Sequence, residues 1–370
     1  MLAGDGSAVL SDLREALARR AHDYDRSGDW PAESLAAAIA AGCWRWVIPR
    51  EFGGEGLAAL DILLRYEAVA SGCLTTALIL TQRDAAADLI AGGENAALKH
   101  ELLPDLARGI RMSTVGIAQL TTSKRGPGPA VRAQSDGDGF RVDGTIPWVT
   151  GAAKADVIVI GAVLPDGAQI LAAVDTQQPG VTVHPPLELL ALNASWTTSV
   201  RCENLWVGPE RIIRGPAPRV LSGRAPVRPL VVSVTGIGHA RALLDLLDQR
   251  AEPTGEALAS VRRSMQEAFR SVRNRLLAVA DRLSDPEFEI PSDEIRVAVN
   301  DLVVRLALAL LTISKGSGFV RGDPAQRLVR EALFFLVWSA PQPVQFGTLA
   351  ALACPTIEHA PADRESGRAP

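Results

Sequence analysis

The side chains best able to hold a metal or attack an electrophile are thinly spread along this 370-residue chain. Cys43, Cys73, Cys202 and Cys354 lie far apart with no C-x-x-C pair, and His22, His100, His184, His239 and His359 are equally dispersed. That spacing argues against a local zinc motif and against a disulfide framework, and leaves thiols that suit a reducing cytosol. No Ser-His-acid arrangement can be read from the sequence, so Ser339 has no visible partner to turn it into a nucleophile. His239, in GIGHARALL, lies in a helical run, where a lone histidine more often serves structure than chemistry. Trp148 and Thr150, in DGTIPWVTGAAKAD, offer a flat apolar surface and a hydroxyl within one short segment; alone they read as a barrel tryptophan and a strand residue.

Three kinds of element must position these residues. The stretch 1–112 reads as an N-terminal helical domain: LSDLREALARRAHDYD and SLAAAIAAG are rich in Ala, Leu, Glu and Arg, with apolar residues near helical spacing. Pro31 suits a first helical turn and Gly42 a helix end. From about Thr114 short β-branched runs are punctuated by Asp-Gly and Pro-Asp-Gly turns, which predicts a middle antiparallel β domain, barrel-like, over 113–219. Helical periodicity returns for 220–353. Leu258, Val261, Met265, Phe269, Val272, Leu276, Val279 and Leu283 form one stripe with arginines between them, the pattern of a helix in a four-helix bundle. Ser292-Asp293-Glu294 and Asp323-Pro324-Ala325-Gln326 are helix starts. The tail 354–370, polar and Pro-rich, is expected to be disordered. The fold class is α+β multidomain.

Net charge is -4 with 47% hydrophobic residues, so no basic excess points to nucleic acid or to an anionic membrane surface. The opening segment carries acids where a secretory signal needs an unbroken apolar core. The apolar run from Leu302 to Ile313 is interrupted by Arg305 and falls short of a bilayer span. The expectation is a cytoplasmic protein with no membrane insertion.

Four stretches in this order resemble the acyl-CoA dehydrogenase superfamily of flavoproteins: DYDRSGDWPAESLAAAIAAGCWRWVIPREFGGEGL, GENAALKHELLPDLARG, DGDGFRVDGTIPWVTGAAKADVIVIGAV and KGSGFVRGDPAQRLVREALFFLVW. Together they sample nearly the whole chain. The resemblance implies FAD held between the β domain and the C-terminal bundle, in a homodimer or homotetramer, with a small-molecule or acyl-thioester substrate. It places Leu120 and Thr121 at the family's flavin-contacting loop and Trp148 and Thr150 at the segment that covers the isoalloxazine, making these four the cofactor-binding candidates.

The departures from the family pattern bear on the reaction. After Thr121 the family's Glu-Pro and Gly-Ser-Asp give way to Thr122, Ser123 and KRGPGP, where Lys124 and Arg125 either meet phosphate or stay solvated. The family's base, a glutamate that removes the proton alpha to a thioester, aligns with Ser339. The alternative position, before an arginine on the first bundle helix, holds Val227 before Arg228. The Arg-x-x-Phe-Gly segment that reaches a neighbouring subunit's FAD is missing, and Lys315-Gly316-Ser317-Gly318 replaces Gln-x-x-Gly-Gly. Three readings follow: a flavin-dependent oxidoreductase, dehydrogenase-like or monooxygenase-like, without that base; a dehydrogenase with a relocated carboxylate such as Glu203, Asp245 or Asp248; or a catalytically silent homologue acting as a binding or assembly subunit.

Overall fold

Leucine and alanine at helical spacing build five helices ahead of the first strand: α1 (Gly4–Ser27), α2 (Ala32–Ala40), α3 (Ala59–Gly72), α4 (Leu74–Ala91) and α5 (Ala96–Arg108). The computed structural model describes residues 4–121, 128–222, 225, 227–251 and 256–353; the tail, the Lys124-Arg125 loop and the segment after Ala251 lie outside them. Pro31 caps α2 from just before its first turn, and Gly42 adopts φ 81 beyond its end.

Among the described residues eight strands follow, interrupted by the short helix α6 (Ala118–Thr121): β1 (Ser113–Gly116), β2 (Val131–Asp136), β3 (Gly139–Val149), β4 (Val157–Val163), β5 (Gln169–Asp175), β6 (Val181–Val183), β7 (Thr198–Val207) and β8 (Ile212–Ala217). Their order is β6-β7-β3-β2-β4-β5-β8, with β1 beside β4. The β2–β3, β3–β7, β4–β5, β5–β8 and β6–β7 pairs are antiparallel as expected, but β1 runs parallel to β4 and β2 touches β4 in parallel, so the sheet is mixed. One apolar face encloses Val131, Ile146, Val149, Ile158 and Val200, and the other packs on α4 and α5 through Val157, Val159 and Leu171.

The chain closes with α7 (Arg228–Ala251), α8 (Glu256–Ala280), α9 (Ser292–Ser314), α10 (Pro324–Phe334) and α11 (Gln342–Ala353). Asp323 caps α10 by accepting from the Ala325 N–H, while Gln326 turns its amide to the Arg321 carbonyl rather than back to the cap. On α8, Phe269, Leu276 and Val279 are buried, as is Leu283 just past its end, whereas Val261 is exposed at the outer end of the stripe. Helix α11 lies on α9 as a fifth bundle member. One core joins the two helical regions, with Leu13, Leu17, Leu63 and Tyr66 packed together with Val234, Ile237, Leu306 and Phe335.

The apolar run near Leu302 belongs to a longer helical stretch. Arg228–Ala251 and Ser292–Phe319 are both long and apolar enough to cross a membrane by length and composition, with 72% and 44% of their most apolar windows buried inside the protein. Apolar side chains remain exposed in the C-terminal helical region: Phe319, Val337, Phe346, Leu349 and Leu352.

Candidate functional site

At the end of β3 the chain alternates faces. Ile146 and Val149 are fully buried inside the sheet, while the Trp148 indole stands 39% exposed. A register shift between Ile146 and Val149 marks this end of the strand and turns the chain into the Gly151 corner, where φ is 66. A Cβ at Gly151 would come within 2.9 Å of the Trp30 ring.

Thr150, buried, is held from two sides. Its carbonyl accepts from Thr114 Oγ1 at 2.7 Å, and its own Oγ1 meets Thr197 Oγ1 at 3.0 Å. Thr197 Oγ1 in turn meets Ser195 Oγ at 2.8 Å. Ser195 closes a helical turn bracketed by Leu192 (φ 66) and Trp196 (φ 47), left-handed conformations that non-glycine residues adopt at a cost. The surroundings fix that turn. Trp196 Nε1 donates to the Gly28 carbonyl, its ring lies 5.8 Å from Trp30, and Lys154 Nζ sits 5.0 Å above it. The Asn193 side chain bonds both backbone groups of Leu189, and Arg330 of α10 donates to the Leu190 carbonyl while pairing with Asp25. Helices from both ends of the chain thus set the loop that holds Thr150.

The structure groups Trp148 and Thr150 at one strand end, and α6 packs on β3 and β4. Leu120 itself turns away into the core, against Gly161 of β4, and Gln119 anchors α6 by donating to the Gly116 and Gly161 carbonyls. The Thr121 side chain lies outside the described residues. Ser339 is exposed on a turn with φ 44, directly after Trp338, whose carbonyl accepts from the buried Arg296 guanidinium. Burial lowers Arg296 to about 9. Val227 is buried. Lys315–Phe319 forms a single 3-10 turn, and nothing lies within 4 Å of a Cβ placed at Gly316, so this segment connects two helices.

The carboxylates considered for a relocated base are engaged elsewhere. Glu203 is exposed on β7 and pairs with Arg201; Asp245 pairs with Arg14 of α1; Asp248 accepts from Gln266 at 2.9 Å. Sequence reasoning missed a different set. Between α3, α4 and α7, the fully buried Asp84 accepts from Tyr66 Oη and from Arg83 Nη1, both at 2.6 Å. Beside it Arg228 donates to Asp88 Oδ2 and to the Asp84 carbonyl, each at 2.8 Å. Burial raises the Asp84 carboxyl, opposed chiefly by the Arg83 charge, and raises the Tyr66 hydroxyl further. The visible signal was the Arg83-Asp84 pair inside a helix rich in Leu, Ile and Ala.

His239 is fully buried on α7 and bonds the Leu328 carbonyl through Nε2. Burial lowers it to about 3, so the imidazole is neutral. Its 3.7 Å approach to Glu331 is therefore not an ion pair, and Glu331 is held instead by both contacts from Arg327.

The half-exposed Trp148 indole and the buried Thr150 hydroxyl, bonded to Thr197, lie two residues apart at the end of β3. No comparable arrangement for a diphosphate appears among the described residues. The sequence model of the acyl-CoA dehydrogenase N-terminal domain matches residues 8–110. The probable acyl-CoA dehydrogenase FadE25 of Mycobacterium tuberculosis is 23% identical over 359 residues, covering 92% of each protein. Among solved structures, butyryl-CoA dehydrogenase from Megasphaera elsdenii superimposes with a TM-score of 0.83 at 18% identity, covering 95% of this chain and 97% of that one. FMN-bound TdsC from Paenibacillus sp. A11-2 gives 0.82 at 16% identity, covering 94% and 96%.

Proposed function

We propose that this chain, a member of the acyl-CoA dehydrogenase superfamily by its N-terminal domain and its fold, is an FAD-dependent oxidoreductase that does not perform ordinary acyl-CoA dehydrogenation. The observation that carries the reading is the pairing at the end of β3: a large indole left exposed beside a hydroxyl that is rigidly held. Bound there, the flavin supplies two-electron transfer. Trp148 covers one face of the ring and excludes water from it, and Thr150 bonds its edge.

The departure from dehydrogenation rests on the base. Deprotonation beside a thioester calls for a carboxylate within hydrogen-bond reach. Ser339 is an exposed hydroxyl on a tight turn, and Val227 is a buried hydrocarbon. Arg228, next in sequence to Val227, bonds the Asp88 carboxylate and the Asp84 carbonyl, and both carboxylate oxygens of Asp84 are taken by Tyr66 and Arg83. The competing reading, a catalytically silent homologue serving as a binding or assembly subunit, draws on the same losses. The exposed apolar residues of α10 and α11, Leu333, Phe346 and Leu349, support self-association in either case.

A visible spectrum of the purified protein, followed by FAD titration, separates the two: a yellow protein, or one that takes up FAD, is expected, and a colourless one that refuses FAD supports the silent homologue. With FAD supplied, turnover of short, medium and branched acyl-CoAs with an artificial electron acceptor is expected to lie ~100- to 10,000-fold below that of a base-containing relative. Turnover at an ordinary rate would show that a base exists elsewhere and overturn this part of the reading.

A further inference from the structure

We propose that one water molecule is built into the contact between α7 and α10, donating its two protons to His239 Nδ1 and to the Glu331 carboxylate and accepting the Arg327 Nε proton. The inference stands apart from the flavin reading above.

The tautomer of His239 is set by its other nitrogen. A carbonyl oxygen only accepts, so Nε2, 2.9 Å from the Leu328 carbonyl, carries the proton. On a neutral ring that leaves Nδ1 as a bare lone pair. Nδ1 is buried and has no hydrogen-bond partner among the described residues. Facing it at 3.7 Å is Glu331 Oε2. Burial raises the Glu331 carboxyl, but the Arg327 guanidinium opposes this, with Nη1 contacting the two oxygens at 3.0 and 2.9 Å, and holds it as a carboxylate. A carboxylate is also an acceptor. Two acceptors thus confront each other in a place where His239 and Glu331 are each only 1% exposed.

Two arrangements could supply the missing donor. Protonation of Nδ1 would make an imidazolium–carboxylate pair, which closes to ~2.7–2.9 Å. The 3.7 Å separation and the burial that keeps the imidazole neutral both speak against it. A water stands beside the two atoms, within reach of each, and needs no closure. Its oxygen then wants a donor, and the same junction offers one. Arg327 Nε is buried and without a hydrogen-bond partner among the described residues, one guanidinium carbon away from the Nη1 that touches Glu331. Two acceptors and one donor are the complement of a single buried water, which typically makes about three bonds to polar groups that lack other partners.

The test is a high-resolution crystal structure of the full-length protein, together with nitrogen-15 spectra of histidine-labelled protein in solution. The expected density is one ordered peak within ~2.7–3.2 Å of His239 Nδ1, Glu331 Oε2 and Arg327 Nε. It is present in wild type and absent in His239→Phe, which keeps an aromatic ring beside Phe335, 5.8 Å from the imidazole, and removes both nitrogens. In the spectra His239 shows a protonated Nε2 and an unprotonated, hydrogen-bonded Nδ1 at neutral pH. Two protonated nitrogens overturn the water and put a direct ion pair in its place. An Nδ1 with the signature of a free lone pair, or a wild-type map without the peak, overturns it as well. The spectra need only wild-type protein, so they decide the matter even should His239→Phe fail to fold, and flavin content bears on neither readout.

Discussion

Trp148 places a large apolar ring against solvent, while Val149 beside it is fully buried, so the indole contributes little to the core. Trp148→Ala is therefore expected to leave thermal stability nearly unchanged and to weaken FAD binding by about 1 kcal/mol, roughly fivefold, the worth of one aromatic contact beyond its buried area. Titration of the variant with FAD checks this, and unchanged affinity would remove Trp148 from the site. At this scale the sequence was partly legible. The closeness of Trp148 and Thr150 was readable because one short segment carries both. Thr197 and Ser195 were not, since their role depends on a loop that returns to β3 from 45 or more positions away, as in the 47-residue separation of Thr150 and Thr197. Leu120 was assigned to the flavin loop by resemblance, and its apolar side chain packs on Gly161 because burial against β4 is available to it. Asp84 was missed because a carboxylate in an apolar helix reads as an interruption until Tyr66 and Arg83 are seen to satisfy it.

Helix α7 is the element on which the others close. It packs on α3 so tightly that a Cβ at Gly238 would lie 2.4 Å from the Glu67 carbonyl oxygen and 2.7 Å from Ala70 Cβ. Backbone cannot yield as a flexible side chain would. Gly238→Ala is accordingly expected to destabilise by about 1–3 kcal/mol through overpacking, despite the higher helix propensity of alanine. Urea denaturation checks it, with Gly322→Ala, where nothing lies within 4 Å, as the neutral comparison. Element boundaries marked by local chemistry were readable: the Asp323-Pro324 start of α10, and the Pro165-Asp166-Gly167 turn that joins β4 to β5 with Gly167 at φ 89. The parallel β1–β4 pair was not, because no turn residue announces a pairing between strands separated by two others in sequence.

At the scale of the molecule, α1 and α3 share one core with α7, α9 and α10, so the N-terminal helices and the bundle form a single packed body beside the sheet. Their unfolding is expected to be one transition, with tryptophan fluorescence and far-ultraviolet circular dichroism giving coincident curves in urea. Separate midpoints would show that the helical regions fold apart. Periodicity announced both sets of helices but not their union, since a stripe of leucines states that a partner exists without saying which. That union also orders events on the ribosome. Arg330 grips Asp25 across 305 residues of chain. At ~5–20 residues per second, the apolar stripe of α1 emerges roughly 15–60 s before the last of its partners is made. For that interval α1 has its native contacts with α3 but not those with α10, and the nascent chain must be sheltered by a chaperone or hold its first helices against one another until the final third is complete.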